Sequence, residues 1–155
     1  MKIIRLCSFI FLVCLISLSF IASSWASVPW PRHKGTRCWN VYRGDGSLAG
    51  VRTLRITNMG ENHYLCNGRF MRTDGGVSSV MGSAEMNREM GKDSILMTLV
   101  STRGDTVDFM STGHIYVILD AATLNGTEQK IVHETFDTGV ESGYGSGTVT
   151  FVSCQ

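Results

Sequence analysis

The chain has 155 residues, of which 43% are hydrophobic and 17% charged, and its formal net charge is +1. This length suits one domain, and the near-neutral charge argues against a general nucleic-acid binder, which would be clearly basic. Seventeen glycines against two prolines, with no low-complexity run, exclude the collagen-like and disordered classes.

The first segment has the layout of a secretory signal peptide. Lys2 and Arg5 give it a short basic start, residues 6–21 are almost wholly apolar, and Ser24-Trp25-Ala26 supplies the small residues of a cleavage site. The apolar run is shorter than the ~20 residues that span a bilayer as a helix, which favours cleavage after Ala26 over an uncleaved anchor. We therefore expect a secreted or periplasmic protein with no stable membrane span after signal cleavage.

Removal of residues 1–26 leaves 129 residues with 12 basic and 13 acidic groups, a net charge of −1. The charge is unevenly distributed, because residues 27–72 carry +6 and residues 73–155 carry −7. Such asymmetry bears on partners rather than on the fold. Both prolines precede the first predicted strand, so we expect residues 27–35 to form an exposed N-terminal arm and residues 36–155 a single domain.

The remainder of the chain shows the period-2 alternation of β-strands, rich in β-branched and aromatic residues. Ser111-Thr112-Gly113 interrupts one long segment as a bulge or a tight turn, so the pattern predicts eight or nine strands. Helical evidence is confined to residues 85–91, for which a strand end running into a turn is preferred. The predicted strands cover residues 37–43, 51–59, 63–72, 77–88, 94–101, 106–120, 127–136 and 147–154.

Turn-forming residues separate the predicted strands. The pair Asn125-Gly126 between two alternating segments is the strongest hairpin signal. Residues 137–146 are predicted to form one sizeable loop. The other predicted turns are Gly44-Asp45-Gly46, Asp74-Gly75-Gly76 and Gly104-Asp105.

Three cysteines remain after signal cleavage, which in an oxidising compartment implies one disulfide and one leftover thiol, or an intermolecular pair. In a closed antiparallel barrel with an even number of strands, the first strand pairs with the last. Cys38 and Cys154 then lie on the outer face of neighbouring strands, which predicts a bond between them. Cys66 shares a face with Tyr64 and Phe70 and is predicted to be a buried free thiol. The competing pair, Cys38–Cys66, would place one cysteine on each side of the wall.

Eight short strands in a meander resemble the architecture of the lipocalin and avidin superfamily, over most of the mature chain. The Gly-x-Trp signature of lipocalins is absent from the first strand, because Gly35 and Trp39 are four residues apart. The resemblance therefore implies an all-β fold, a small antiparallel meander barrel, without implying family membership.

Motifs that carry chemistry are few. His33, His63, His114 and His133 are scattered without metal-ligand spacing, and no nucleophile elbow, phosphate loop or zinc-protease motif occurs. We therefore expect no cofactor and no metal, and the evidence for an enzyme is weak.

Two short motifs lie at predicted turns. Arg-Gly-Asp occurs at residues 43–45 and 103–105, where an adhesion motif and ordinary turn chemistry are both possible interpretations. Asn125-Gly126-Thr127 is a glycosylation sequon that matters only in a eukaryotic host.

Three arginines are predicted to lie at one end of the barrel. Arg43 shares the inward face of its strand with Trp39 and Val41, while Arg52 and Arg72 extend the inward sets of the next two strands. Because successive strands alternate in direction, these arginines fall at the same end, above an aromatic-lined interior. The predicted ligand-binding residues are Trp39, Arg43, Arg52, Tyr64, Phe70 and Arg72.

Two functional hypotheses remain open. In the first, the barrel mouth binds an amphiphilic or anionic small ligand, since guanidinium groups pair with carboxylate or phosphate. In the second, the interior is filled by side chains and the protein is an inhibitor, adhesin or effector. It would then use its loops and charge asymmetry against a macromolecular partner.

The signal-peptide assignment predicts the N-terminus of the exported protein. Expression of the full chain in a secreting host should yield a protein that begins at Ser27, as measured by intact mass and N-terminal sequencing. Recovery of the intact chain in the membrane fraction, beginning at Met1, would contradict this assignment.

Overall fold

The computed structural model describes residues 35–87, 93–106, 109–136 and 138–154, with the side chains of residues 105 and 106 excepted. The predicted signal peptide and residues 27–34 of the predicted arm lie outside the described residues, whereas Gly35 belongs to the first strand. The described residues form eight strands: β1 (Gly35–Arg43), β2 (Leu48–Gly60), β3 (His63–Arg72), β4 (Val77–Asn87), β5 (Ser94–Thr106), β6 (Phe109–Asp120), β7 (Gly126–Phe136) and β8 (Gly139–Val152).

Each strand pairs antiparallel with the next, and β1 also pairs with β8, so the sheet closes into a barrel. Closure pairs Trp39 with Phe151 and Val41 with Val149 across the β1–β8 ladder. The prediction of an all-β antiparallel meander barrel is therefore confirmed, with eight strands rather than nine. No helix in the described part of the chain is long and apolar enough to cross a membrane.

The alternation of side chains decides which face is inside. In β6 the residues Ile115, Val117 and Leu119 are buried, while the intervening Tyr116 and Ile118 are exposed. The same period places apolar residues of the other strands in one core. The largest fully buried side chains in this core are Leu54, Ile56, Ile95, Leu99, Leu119, Val149 and Cys66.

The β6–β7 connection, residues 121–125, closes one end of the barrel. Leu124 is buried, its backbone has a positive φ of 60°, and its carbonyl accepts a hydrogen bond of 2.9 Å from Trp39 Nε1. The Asp120 carboxylate holds the loop by accepting hydrogen bonds from the backbone N–H groups of Ala122 and Thr123. The residue with a positive φ in this connection is therefore Leu124. Gly126, which the sequence placed in an Asn125-Gly126 turn, is instead the first residue of β7.

Three sequence predictions about the strands are wrong. Residues 139–146 continue β8 instead of forming a loop, because β7 offers them a continuous ladder that pairs Tyr144 with Ile131. Gly104-Asp105 lies within β5 beside a bulge, so the second Arg-Gly-Asp is not at a hairpin tip. Residues 111–113 do not interrupt β6, which pairs without a break from Met110 to Leu119 with β7.

The glycine at position 147 explains part of this register. A Cβ at Gly147 would clash with the backbone carbonyl of Tyr42, so β8 approaches β1 there as only glycine permits. The abundance of glycine that suggested a loop in the sequence is therefore compatible with a tightly curved strand of a small barrel.

The predicted disulfide is present. Cys38 and Cys154 are bonded with their Cα atoms 5.3 Å apart, across a sequence separation of 116 residues. Cys38 alternates with the inward Trp39, yet it is buried rather than exposed, as the bond brings the C-terminal segment against it. Cys66 is free and fully buried, as predicted, and burial raises the pKa of its thiol to about 12.

Loss of the disulfide should destabilise the barrel by ~2–4 kcal/mol, because the bond restricts the unfolded chain over a long loop. The variant carrying Cys38→Ser and Cys154→Ser should show this decrease in urea unfolding. A reductant should lower the stability of the wild type to the same value and leave the variant unchanged.

Alkylation of the wild type should label Cys66 only after unfolding, and labelling of the native protein at pH 8 would contradict its burial.

Candidate functional site

The end of the barrel opposite the β6–β7 connection contains a polar cavity. The turns β1–β2 and β3–β4 lie at this end, which we call the mouth. The cavity has a volume of about 210 Å³ and is lined by residues of β1–β7. Its lining residues are Arg43, Ala49, Arg52, Phe70, Arg72, Ser78, Ser101, Arg103, Ser111, Ile115, Glu128, Lys130, Val132 and Glu134.

A buried ion pair lies at the inner side of this cavity. Arg52 of β2 and Glu128 of β7 are both 4% exposed, and Arg52 Nη2 lies 2.8 Å from Glu128 Oε2. Arg52 points inward because it continues the inward set of Leu54 and Ile56 on β2. Two charges are therefore held inside the wall of the barrel, where burial strengthens their attraction and also makes their desolvation costly.

The pair leaves polar atoms without hydrogen bonds. Arg52 Nε and Glu128 Oε2 have no hydrogen-bond partner among the described residues, so the close Nη2–Oε2 contact is an ion pair without hydrogen-bond geometry. The guanidinium carbon of Arg52 also lies 5.8 Å from the centre of the Phe70 ring, within the range of a cation–π contact. Buried donors and acceptors are almost always satisfied in native proteins, so these two atoms require an explanation.

Arg72 lies at the edge of the cavity and is anchored by the β3–β4 turn. Its Nη2 lies 2.6 Å from Asp74 Oδ2, while Asp74 Oδ1 accepts a hydrogen bond of 3.0 Å from the backbone N–H of Gly76. The hydrogen bond from Gly76, and then the charge of Arg72, lower the pKa of Asp74 below its ordinary value of 3.8. Asp74 is therefore ionised at neutral pH and competes with any other anion for Arg72.

Arg43 is held in a similar manner by the β1–β2 turn. Its Nη1 donates hydrogen bonds of 3.1 Å to Ser47 Oγ and 3.2 Å to the carbonyl of Leu48. Ser47 in turn donates from its hydroxyl and its backbone to Asp45, and these bonds lower the pKa of the Asp45 carboxyl. The turn thus fixes Arg43 at the rim.

The remaining cations come from the other side of the barrel. The guanidinium carbon of Arg103 on β5 lies 5.4 Å from the centre of the Phe109 ring, and Lys130 of β7 lies along Gly145 of β8. Three serines, Ser78, Ser101 and Ser111, add hydroxyl groups from β4, β5 and β6. The cavity therefore combines several cations with neutral hydrogen-bonding groups.

Four of the six residues predicted to bind a ligand line this one cavity. They are Arg43, Arg52, Phe70 and Arg72, and their role in binding stays a prediction. Trp39 and Tyr64 do not line it, because they belong to the buried apolar core. They are inward residues of the same strands, but they lie nearer the closed end.

The sequence reasoning missed Ser78, Ser101, Arg103, Ser111, Glu128, Lys130 and Glu134. On β7 both faces carry an apolar residue, Ile131 outward and Val132 inward, so hydrophobicity does not decide which face is inside. The spacing of Glu128, Lys130 and Glu134 by even numbers of residues places them on one face, which was the available signal.

The described residues contain no group of three or more histidine, cysteine or acidic side chains that could hold a metal ion. Comparisons with protein-family models, with curated proteins and with solved structures each found no match to this chain. The function of the cavity must therefore be inferred from its geometry and its charges.

The ion pair should show the energetics of a buried charge pair. Arg52→Met leaves Glu128 as an uncompensated buried charge, so we expect the free energy of unfolding to fall by about 3–5 kcal/mol. Addition of Glu128→Met should recover most of this loss in a double-mutant cycle measured by urea unfolding. Arg55→Met, on the outer face of β2, is the matched control and should change stability little. A double variant less stable than the single one would contradict a mutual charge pair.

Proposed function

We propose that the protein is an exported barrel that binds a compact anion in its mouth. The observation that carries this proposal is the charge of the cavity lining. Among the described lining residues, five are cationic and two are acidic. An excess of guanidinium and ammonium groups in a concave, partly dry site favours carboxylate or phosphate, which arginine pairs with bidentately.

The size of the cavity restricts the ligand. About 210 Å³ accommodates a small organic acid or an inorganic oxyanion, whereas a fatty acid needs a deeper pocket. Below Arg52 the described interior is occupied by core side chains such as Leu54, Leu99 and Ile115. Of the amphiphilic and anionic small ligands that the sequence allowed, we therefore favour a compact anion.

The burial of Arg52 also bears on the alternative of an interaction protein. That hypothesis predicts arginines on the outside of a solid barrel, with mobile loops as the binding surface. Arg52 is instead inside the wall beside a cavity, and the region predicted to be the largest loop is mostly strand. These observations support the ligand-binding hypothesis over the interaction hypothesis.

Two substitutions at one ion pair should change anion binding in opposite directions. Arg72→Gln removes a cation from the rim and should raise the Kd for small anions about tenfold. Asp74→Asn removes the carboxylate that competes for Arg72 while keeping the acceptor for Gly76, so it should lower the Kd about two- to fivefold. Isothermal titration with phosphate, sulfate and cyclohexanecarboxylate, at low and high ionic strength, measures both effects.

Arg69→Gln is the matched control, since Arg69 lies on the same strand but faces outward. It removes the same charge and should leave the Kd within about twofold of the wild type, as expected for a screened surface charge. Absence of binding by every anion tested, or equal effects of Arg69→Gln and Arg72→Gln, would refute the proposal.

A further inference from the structure

The buried pair at the inner side of the cavity brings a guanidinium and a carboxylate into the cavity wall. Among the described residues, Arg52 Nε has no hydrogen-bond partner, and Glu128 Oε2 lies 2.8 Å from Arg52 Nη2 without hydrogen-bond geometry, although neither of these two atoms is itself exposed. Both residues line the cavity and are nine-tenths or more buried. A simple anion in the cavity would be attracted by Arg52 and repelled by Glu128.

A ligand that suits both members of this pair carries a hydrogen-bond donor as well as an anionic group. An ammonium group would approach a cavity whose lining already has more cations than anions, which disfavours it. A hydroxyl group donates to a carboxylate without adding positive charge, and such charge-assisted hydrogen bonds are strong. The Glu128 carboxylate therefore favours a ligand hydroxyl.

The opposite wall of the cavity is consistent with further hydroxyls. Ser78, Ser101 and Ser111 come from three consecutive strands, and each hydroxyl can donate one hydrogen bond and accept others. Gly113 leaves space for the hydroxyl of Ser101, since a Cβ at position 113 would lie 2.6 Å from Ser101 Oγ. This wall suits a ligand with several hydroxyl groups better than an apolar acid.

We propose that the ligand is a polyhydroxylated carboxylate of the size of a single sugar acid. Its carboxylate pairs with the arginines of the mouth, one hydroxyl donates to Glu128, and other hydroxyls bond to the serines. This inference rests on the proposed function, because it specifies which compact anion the mouth accepts. The Phe70 ring beside Arg52 and the apolar Val132 supply contact area for the carbon skeleton.

Three probes of similar size separate the contributions of charge and hydroxyls. D-glucuronate has both, cyclohexanecarboxylate has only the charge, and D-glucose has only the hydroxyls. We expect the wild type to bind glucuronate at least tenfold more tightly than either of the others, in isothermal titration. Glu128→Gln should weaken glucuronate at least fivefold, while cyclohexanecarboxylate should bind as tightly as before or more tightly, because a negative charge is removed.

This difference between the two acids excludes a merely structural effect of Glu128→Gln, because a distorted cavity would bind both acids more weakly. Glu61→Gln, in the exposed β2–β3 turn at the opposite end of the barrel, removes the same charge far from the cavity and should change neither Kd. Thermal unfolding verifies that both variants are folded, and Ser101→Ala provides a second variant that should weaken glucuronate alone, at least threefold.

The outcomes separate this inference from the proposed function. If no anion binds, the proposed function is wrong and the inference falls with it. If both acids bind equally, or phosphate binds and neither acid does, the mouth is an anion site and the polyhydroxylated ligand is wrong. If glucose binds as tightly as glucuronate, the hydroxyls are recognised without the carboxylate, and the inference is likewise overturned.

Discussion

Closure of the sheet through the β1–β8 ladder is the constraint on which the other features depend. An eight-stranded barrel has an interior just wide enough for side chains, so every inward position must either pack or find a polar partner. Closure also brings the first and last strands together, which is why Cys38 and Cys154 can bond across 116 residues. Because successive strands alternate in direction, the inward residues of the closed barrel gather at two ends, and these ends differ in chemistry.

These two ends have opposite character. At the closed end, Leu124 and Trp39 combine apolar burial with a hydrogen bond between loop and wall. At the mouth, the inward positions carry the Arg52–Glu128 pair and the surrounding cations. A buried ion pair is a weak source of stability, since apolar residues of similar volume often serve as well or better. Its position in the lining of the cavity is the reason it is central to the proposed anion site.

Much of the fold followed from the sequence pattern. Alternation predicted the antiparallel barrel and the buried thiol of Cys66, and the even number of strands then predicted the Cys38–Cys154 bond. The pattern failed for residues 139–146, because glycine and small polar residues there resemble a loop until β7 supplies hydrogen-bonding partners. It also assigned the positive φ of the β6–β7 connection to Asn125-Gly126, whereas the buried Leu124 adopts it and Gly126 is the first residue of β7.

The sequence by itself determined which inward arginines share one end, since strand direction and side-chain alternation are local properties. Arg43, Arg52 and Arg72 were placed in this way, and they do line one cavity. Only the tertiary structure decided that Glu128 faces Arg52, because β2 and β7 are not adjacent in the sheet and lie far apart in sequence. Contacts across the interior depend on barrel curvature and on the depth of each residue, and neither is encoded in the period of a single strand.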